Sequence, residues 1–166
     1  SKKEAETILE VSNPALWEPN APNLYDLKVN LLENDTKLDS YSLKIGIRTI
    51  EVRGDKLLLN GKPIKLIGLA KHIDFPITGR GYVPAVMIKD YSLLKWIGAN
   101  SFRTSHYPYS EQMMDLADQL GFLIIDETPA VGLTFINDAI ERHLDLCKQY
   151  VQELIARDKN HPSVIM

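Results

Sequence analysis

The stretch that decides the fold runs from Asn100 to Asp126 and reads NSFRTSHYPYSEQMMDLADQLGFLIID. Ser101–Thr104 reads as a short strand, and a polar turn follows it. Met113, Ala117 and Leu120 then align on one face of a helix, with Ser110 placed to cap its start and Gly121 at its C′ position. Phe122–Asp126 is a second apolar run of strand length. Two strands joined through a helix are expected to be parallel, because the crossover brings the chain back to the same starting edge. Arg103, His106 and Asp126 then fall near the carboxyl ends of neighbouring parallel strands, where α/β proteins bind ligands.

The pattern extends in both directions. Upstream, Met87, Tyr91 and Leu94 share one face of a helix that Gly98 can end. Ile64–Leu69 is nearly continuous apolar sequence, as expected of a parallel strand buried on both faces. Asn60-Gly61, between Lys56–Leu59 and Lys62–Leu69, supplies the positive-φ pair of a type I′ hairpin. Downstream, Ile140, Leu144, Cys147, Val151 and Leu154 form one helical stripe, and Asp138 and Glu141 at its start resemble a capping box. Another strand begins at Val164 and is cut short at Met166. Repeated β–α units predict an α/β fold with right-handed crossovers and a parallel sheet, either doubly wound or a barrel.

Residues 1–53 have a different texture. Asn13-Pro14 and Pro19-Asn20-Ala21-Pro22-Asn23 are turn clusters. Tyr25, Leu27, Val29 and Leu31 alternate as in a half-buried strand over Leu24–Leu32. Glu33-Asn34-Asp35 is a turn and Leu38–Arg48 the returning strand. So few antiparallel strands cannot form a stable sheet alone, so these read as the last strands of a sandwich. A boundary is placed near Arg48–Arg53, dividing a segment 1–50 from a segment 51–166.

Composition bounds the function. Hydrophobic content of 45% and charged content of 25% are those of a globular protein. A net charge of −3 argues against a nucleic-acid surface. There is no apolar run long enough to span a membrane. A single cysteine, Cys147, excludes an internal disulfide and a cysteine zinc site, and on the apolar stripe it reads as a buried, inert thiol. The polar N-terminus lacks a signal-peptide core, so the location is left open, cytoplasmic if the source is bacterial.

Two readings of Arg103, His106 and Asp126-Glu127 stand side by side. A guanidinium, an imidazole and two carboxylates at strand ends can grip a polar, hydroxylated ligand. Alternatively Arg103 pairs with Asp126 as buried scaffold and His106 bonds the backbone. Polar groups inside a parallel sheet are costly unless paired or used, which keeps the functional reading open. His72 with Asp74 is a weak metal pair, because no third ligand has suitable spacing. His143 reads as solvated, and Trp96 as core packing. Gly79-Arg80-Gly81 is too short for a phosphate fingerprint, and no Gly-x-Ser-x-Gly elbow is present. No cofactor is expected.

The wording of two segments resembles a known family. Asn100-Ser-Phe-Arg-Thr-Ser-His106-Tyr-Pro108, with Met113-Met114, Asp118 and Gly121-Phe-Leu-Ile-Ile125 at matching spacing, resembles the first signature of glycoside hydrolase family 2. Asp158-Lys-Asn-His-Pro-Ser-Val-Ile-Met166 resembles the opening of its second. Trp96–Tyr109, Ile125–Thr128 and Ile155–Pro162 are most similar to the wording of β-glucuronidases, with β-galactosidases as the alternative.

The resemblance implies the end of an immunoglobulin-like β-sandwich followed by the first three β/α units of a (β/α)8 TIM barrel, truncated at the fourth strand. It implies a β-glycoside or glucuronide substrate, with His72 and His106 lining the sugar pocket and Arg103, Asp126 and Glu127 supporting it. The parent would be a homo-oligomeric retaining glycosidase. Its two catalytic glutamates lie on later strands, so no catalytic residue falls in this chain, which alone is expected to be inactive and prone to aggregate. A non-catalytic carbohydrate-binding or assembly module remains the other reading. The chain departs from the family in having Lys71-His72-Ile73 where Arg-His-Glu is common, and in a short segment after Ala130-Val-Gly132.

Overall fold

A computed structural model describes residues 5–132 and 139–166. Its elements, in order, are β1 (Trp17–Glu18), β2 (Ala21–Pro22), β3 (Tyr25–Glu33), β4 (Thr36–Ile45), β5 (Ile50–Arg53), β6 (Lys56–Leu59), β7 (Lys62–Pro63), β8 (Gly68–Lys71), α1 (Pro84–Trp96), β9 (Ser101–Thr104), α2 (Glu111–Leu120), β10 (Leu123–Ile125) and α3 (Ala139–Asp158). Asp138, half of the expected capping box, lies outside the described residues.

The centre is a parallel sheet in the order β8-β9-β10, in which Ser101 of β9 is in register with both Gly68 and Leu123. The chain from Ser163 adds to β10: Ile124 N–H donates to the Ser163 carbonyl at 2.8 Å and Asp126 N–H to the Met166 carbonyl at 2.7 Å. The expected strand at Val164 is thus a short parallel extension of the sheet. Among the described residues the sheet is open and no barrel closes.

Its core follows from helical spacing. Met87, Tyr91 and Leu94 of α1, and Met113, Met114 and Ala117 of α2, are buried against Phe102, Phe122 and Ile124. The Tyr91 ring meets Phe102 and Phe122 edge-on at 5.6 and 5.3 Å, a favoured aromatic geometry. The Tyr91 hydroxyl, which could not be left bare there, donates to the Met113 carbonyl at 2.7 Å.

Around the sheet sit antiparallel hairpins. Asn34 and Asp35 have φ of 47° and 63°, and Asn60 and Gly61 have 51° and 74°, so both hairpins turn on a left-handed pair. Trp17, fully buried, joins these hairpins to the parallel sheet: its indole N–H donates to the Asp118 carbonyl on α2 at 2.8 Å. Arg48 reinforces the seam by donating to the carbonyls of Pro162 at 3.0 Å and Val164 at 2.7 Å.

Several expectations need correction. Ile64–Leu69 is not one buried strand. Ile64 and Leu66 pack in loop conformation beside Trp17, and the strand starts at Gly68 with Leu69 exposed, because β8 is paired on only one side. Only Tyr25 and Leu27 of the alternating β3 residues are even partly buried, since nothing among the described residues covers the β3–β4 ribbon further out. Ile140, Leu144 and Val151 of the α3 stripe are exposed, and Cys147 is half-buried, not buried. Trp96 is 82% exposed, because position 96 faces away from the Met87–Tyr91–Leu94 side of α1. Ser110 does occupy the N-cap of α2, but its hydroxyl makes no capping bond.

Candidate functional site

The carboxyl edge of the parallel sheet collects the residues singled out in the sequence. His72 follows β8, Arg103 lies on β9, and His106 comes two residues after β9 ends. Asp126 and Glu127 follow β10 directly. Glu127 is the hub. Its Oε2 is 3.1 Å from His106 Nδ1 and 3.6 Å from Arg103 Nε.

Arg103 therefore faces Glu127, and the alternative pairing with Asp126 is not formed. Asp126 turns instead toward Thr104, whose hydroxyl donates to its Oδ1 at 2.8 Å. That same Thr104 oxygen accepts the Glu127 N–H at 2.9 Å, so one fully buried side chain fixes both acidic residues. Burial, with Asp158 within hydrogen-bond reach, pushes the Asp126 carboxyl up to about 6, while Thr104 and the Glu127 N–H pull the other way. Asp158 is itself held by Arg157 through two contacts of 2.6 Å. A cavity of about 520 Å3 lies beside this cluster, lined by Asp126, Glu127, Val151, Leu154, Ile155 and Val164.

His72 stands exposed at the rim, its ring edge-on to His106 at 5.4 Å. Spacing did not single out its neighbours. Tyr107 brings its hydroxyl within 3.3 Å of His72 Nδ1, and Arg80 lies over the Tyr107 ring at 4.2 Å. The sequence signals for Tyr107 were its aromatic ring and its place beside His106 in the Asn100–Pro108 wording. Asp74 does not make a metal pair with His72; it lies 3.8 Å from Arg80. The residues with ligand-like proximity are elsewhere: Asp115, Asp118 and His161 have candidate atoms within 4.8 Å of one another. Those groups are already committed, since Asp118 bonds His161 Nδ1 at 2.7 Å and the Ser163 N–H at 2.9 Å.

Chemically, the edge offers donors on Arg103 and the histidines and an acceptor on Glu127, a set suited to a ligand rich in hydroxyls. Asp126 is bonded to Thr104 and Glu127 to His106, so each carboxyl group is committed to a separate partner.

Comparison with known proteins supplies the family. Residues 50–166 match the model of the glycosyl hydrolases family 2 TIM barrel domain, and residues 1–48 that of glycosyl hydrolases family 2. The chain is 48% identical to a β-glucuronidase of Paenibacillus borealis and 43% identical to that of Mus musculus, covering 95% of itself in both cases but 28% and 25% of those proteins. It thus spans about a quarter of the length of these relatives. Among solved structures it resembles the β-D-glucuronidase of Dictyoglomus thermophilum, with a TM-score of 0.86 at 52% identity over 94% of this chain and 28% of that one. It also resembles a β-glucuronidase from Ruminococcus gnavus in complex with D-glucuronic acid, with a TM-score of 0.86 at 47% identity over 93% and 26%. By the match over residues 50–166, this chain belongs to glycosyl hydrolases family 2.

Proposed function

We propose that this chain is part of a retaining β-glucuronidase that hydrolyses terminal β-linked sugar acids, and that it supplies one wall of the sugar pocket. The observation that carries the reading is the His106–Glu127 contact of 3.1 Å, with Arg103 alongside, at the carboxyl edge of a parallel sheet. On this reading residues 51–166 form the first β/α units of a TIM barrel, and residues 1–50 the last strands of an immunoglobulin-like sandwich. Among the described residues the open sheet and the exposed apolar side chains of α3 and of the β3–β4 ribbon suit packing against further elements.

A retaining mechanism needs two carboxyl groups about 5–5.5 Å apart, one nucleophile and one acid/base. Asp126 and Glu127, each committed to a separate partner, are not that pair. Glu127 holds His106 and Arg103 in place while Thr104 fixes both acidic residues, so that the ligand meets a wall that does not reorganise during the reaction. His72 and His106 face the sugar in this assignment. Assay of the full-length protein on nitrophenyl β-glucuronide and nitrophenyl β-galactoside tests it. Preferential cleavage of the glucuronide is expected. A galactoside preference would overturn the substrate, and an inactive protein would overturn the enzyme reading in favour of a binding module.

A further inference from the structure

Tyr107 has no part in the reading above, yet it is the residue that holds His72. Its hydroxyl is 3.3 Å from His72 Nδ1 and also accepts the Ile73 backbone N–H at 3.4 Å. The Arg80 guanidinium over its ring, with Asp74 at 3.8 Å from Arg80, ties the rim loop to the same side chain.

Hydrogen-bond capacity within the protein favours one direction for the His72 contact. A phenol has one proton to give and lone pairs to receive with, and a neutral imidazole has one N–H and one bare nitrogen. Ile73 already donates to the Tyr107 oxygen. Were His72 Nδ1 also to donate, the phenolic proton would be left to solvent, with no acceptor among the described residues. When the phenol donates to Nδ1, every group is satisfied. His72 then carries its proton on Nε2.

The opposite logic holds for His106. Its Nδ1 faces Glu127 Oε2 at 3.1 Å, and an ionised carboxylate can only accept. Nδ1 must be the protonated nitrogen, which leaves Nε2 bare in the neutral ring. We propose that Tyr107 and Glu127 lock the neighbouring histidines, 5.4 Å apart between ring centroids, into opposite tautomers, so that the pair offers one donor and one acceptor to a ligand hydroxyl. A hydroxyl both gives and accepts one hydrogen bond, and it is the group this arrangement suits. Tyr107 is thereby a positioning residue that acts through His72. The sugar as ligand rests on the function proposed above; the tautomers do not.

The test uses the full-length protein labelled with 15N in histidine, read by long-range proton–nitrogen correlation at mildly alkaline pH. His72→Gln and His106→Gln variants assign the signals. His72 is expected as the Nε2–H form and His106 as the Nδ1–H form. Tyr107→Phe keeps the ring under Arg80 but removes the hydroxyl. It is expected to convert His72 to a mixture of tautomers, leave His106 unchanged, and raise KM for nitrophenyl β-glucuronide about threefold to tenfold with kcat within about twofold, the size of one neutral hydrogen bond. His72 protonated on Nδ1 in the unaltered protein would overturn the proposal, as would a Tyr107→Phe variant whose His72 tautomer is unmoved. The expected tautomers with an unchanged KM would overturn the ligand half. The expected tautomers in a protein inactive on the glucuronide would uphold the locked pair and remove the glucuronidase reading alone.

Discussion

Asp118 Oδ2 lies 2.7 Å from His161 Nδ1, joining α2 to the turn that leads into the Val164 extension. The other oxygen of the same buried carboxylate takes the Ser163 N–H, and the Asp118 carbonyl takes the Trp17 indole. One residue thus ties together the N-terminal hairpins, α2 and the end of the chain.

That contact should make stability depend on pH. Burial alone would lower the His161 pKa, but the Asp118 hydrogen bond, together with the charges of Asp118, Asp115 and Asp158, outweighs it and leaves the value raised. A raised folded pKa means the contribution is complete below the unfolded value of about 6.5 and is lost as pH climbs through the folded one. Urea midpoints of the full-length protein are therefore expected to fall as pH rises from about 6.5. Asp118→Asn should remove that dependence and cost about 3 kcal/mol below it, as when one member of a buried pair is deleted. A pH trend that survives the substitution would assign it to another group.

Asp126 moves stability with pH in the same direction, but its ionised form is a cost that a neutral substitute removes. Its folded pKa of about 6 lies above the ordinary carboxylate value, so its contribution to stability is complete at acid pH and lost as pH rises through about 6. At neutral pH the ionised group is a cost. Asp126→Asn keeps an oxygen for the Thr104 hydroxyl and gains an N–H for Asp158. It is expected to stabilise the protein above pH 6 by on the order of 1 kcal/mol, after allowance for solvent screening of a half-buried group. That advantage should shrink as the pH is lowered through 6. Thermal melts across that range check it, and a variant less stable than the parent at neutral pH would refute it.

How much of this was legible in the sequence depends on whether the signal was local. The helix faces of α1 and α2, the Asn60-Gly61 turn and the β9–α2–β10 unit follow from periodicity and turn chemistry, and the structure reproduces them. Local pattern could not say whether an apolar face is covered. Leu69, Val29 and Leu144 are exposed here because burial depends on neighbours distant in sequence. At the site, the residues near the strand ends were legible, but their pairing was not. Glu127 faces Arg103 because Thr104 has taken Asp126, a choice made by side-chain geometry across two strands. Tyr107 was hidden for the same reason, since its partner His72 lies 35 residues away.

Gly121 offers a sharp test of how α2 meets the hairpins. Its φ is 76°, and a Cβ there would stand 2.1 Å from the Pro19 carbonyl oxygen. Backbone cannot yield as a flexible side chain can. Gly121→Ala is expected to cost at least about 2 kcal/mol, combining left-handed strain of roughly 1–2 kcal/mol with displacement of the Pro19 turn. A melting temperature within a degree or so of the parent would show that the turn moves aside freely.

The last prediction concerns Lys71, the last residue of β8. Its ammonium lies 2.5 Å from Asp90 Oδ2 on α1, over the Tyr109 and Phe102 rings at 5.0 and 5.4 Å, and its side chain is only 7% exposed. Burial lowers its pKa, and the hydrogen bond and charge of Asp90 only partly compensate. Removing Asp90 strands a buried cation, whereas removing Lys71 leaves a carboxylate that is 22% exposed and can still reach water. Asp90→Ala should therefore cost about 3 kcal/mol, and Lys71→Met, which keeps the packing on both rings, only about 1–2 kcal/mol. The double variant should be more stable than Asp90→Ala alone, because the stranded charge is gone. Urea unfolding of the three variants measures this. If Asp90→Ala proves milder than Lys71→Met, the pair is held by the cation on its aromatic rings and not by its carboxylate partner.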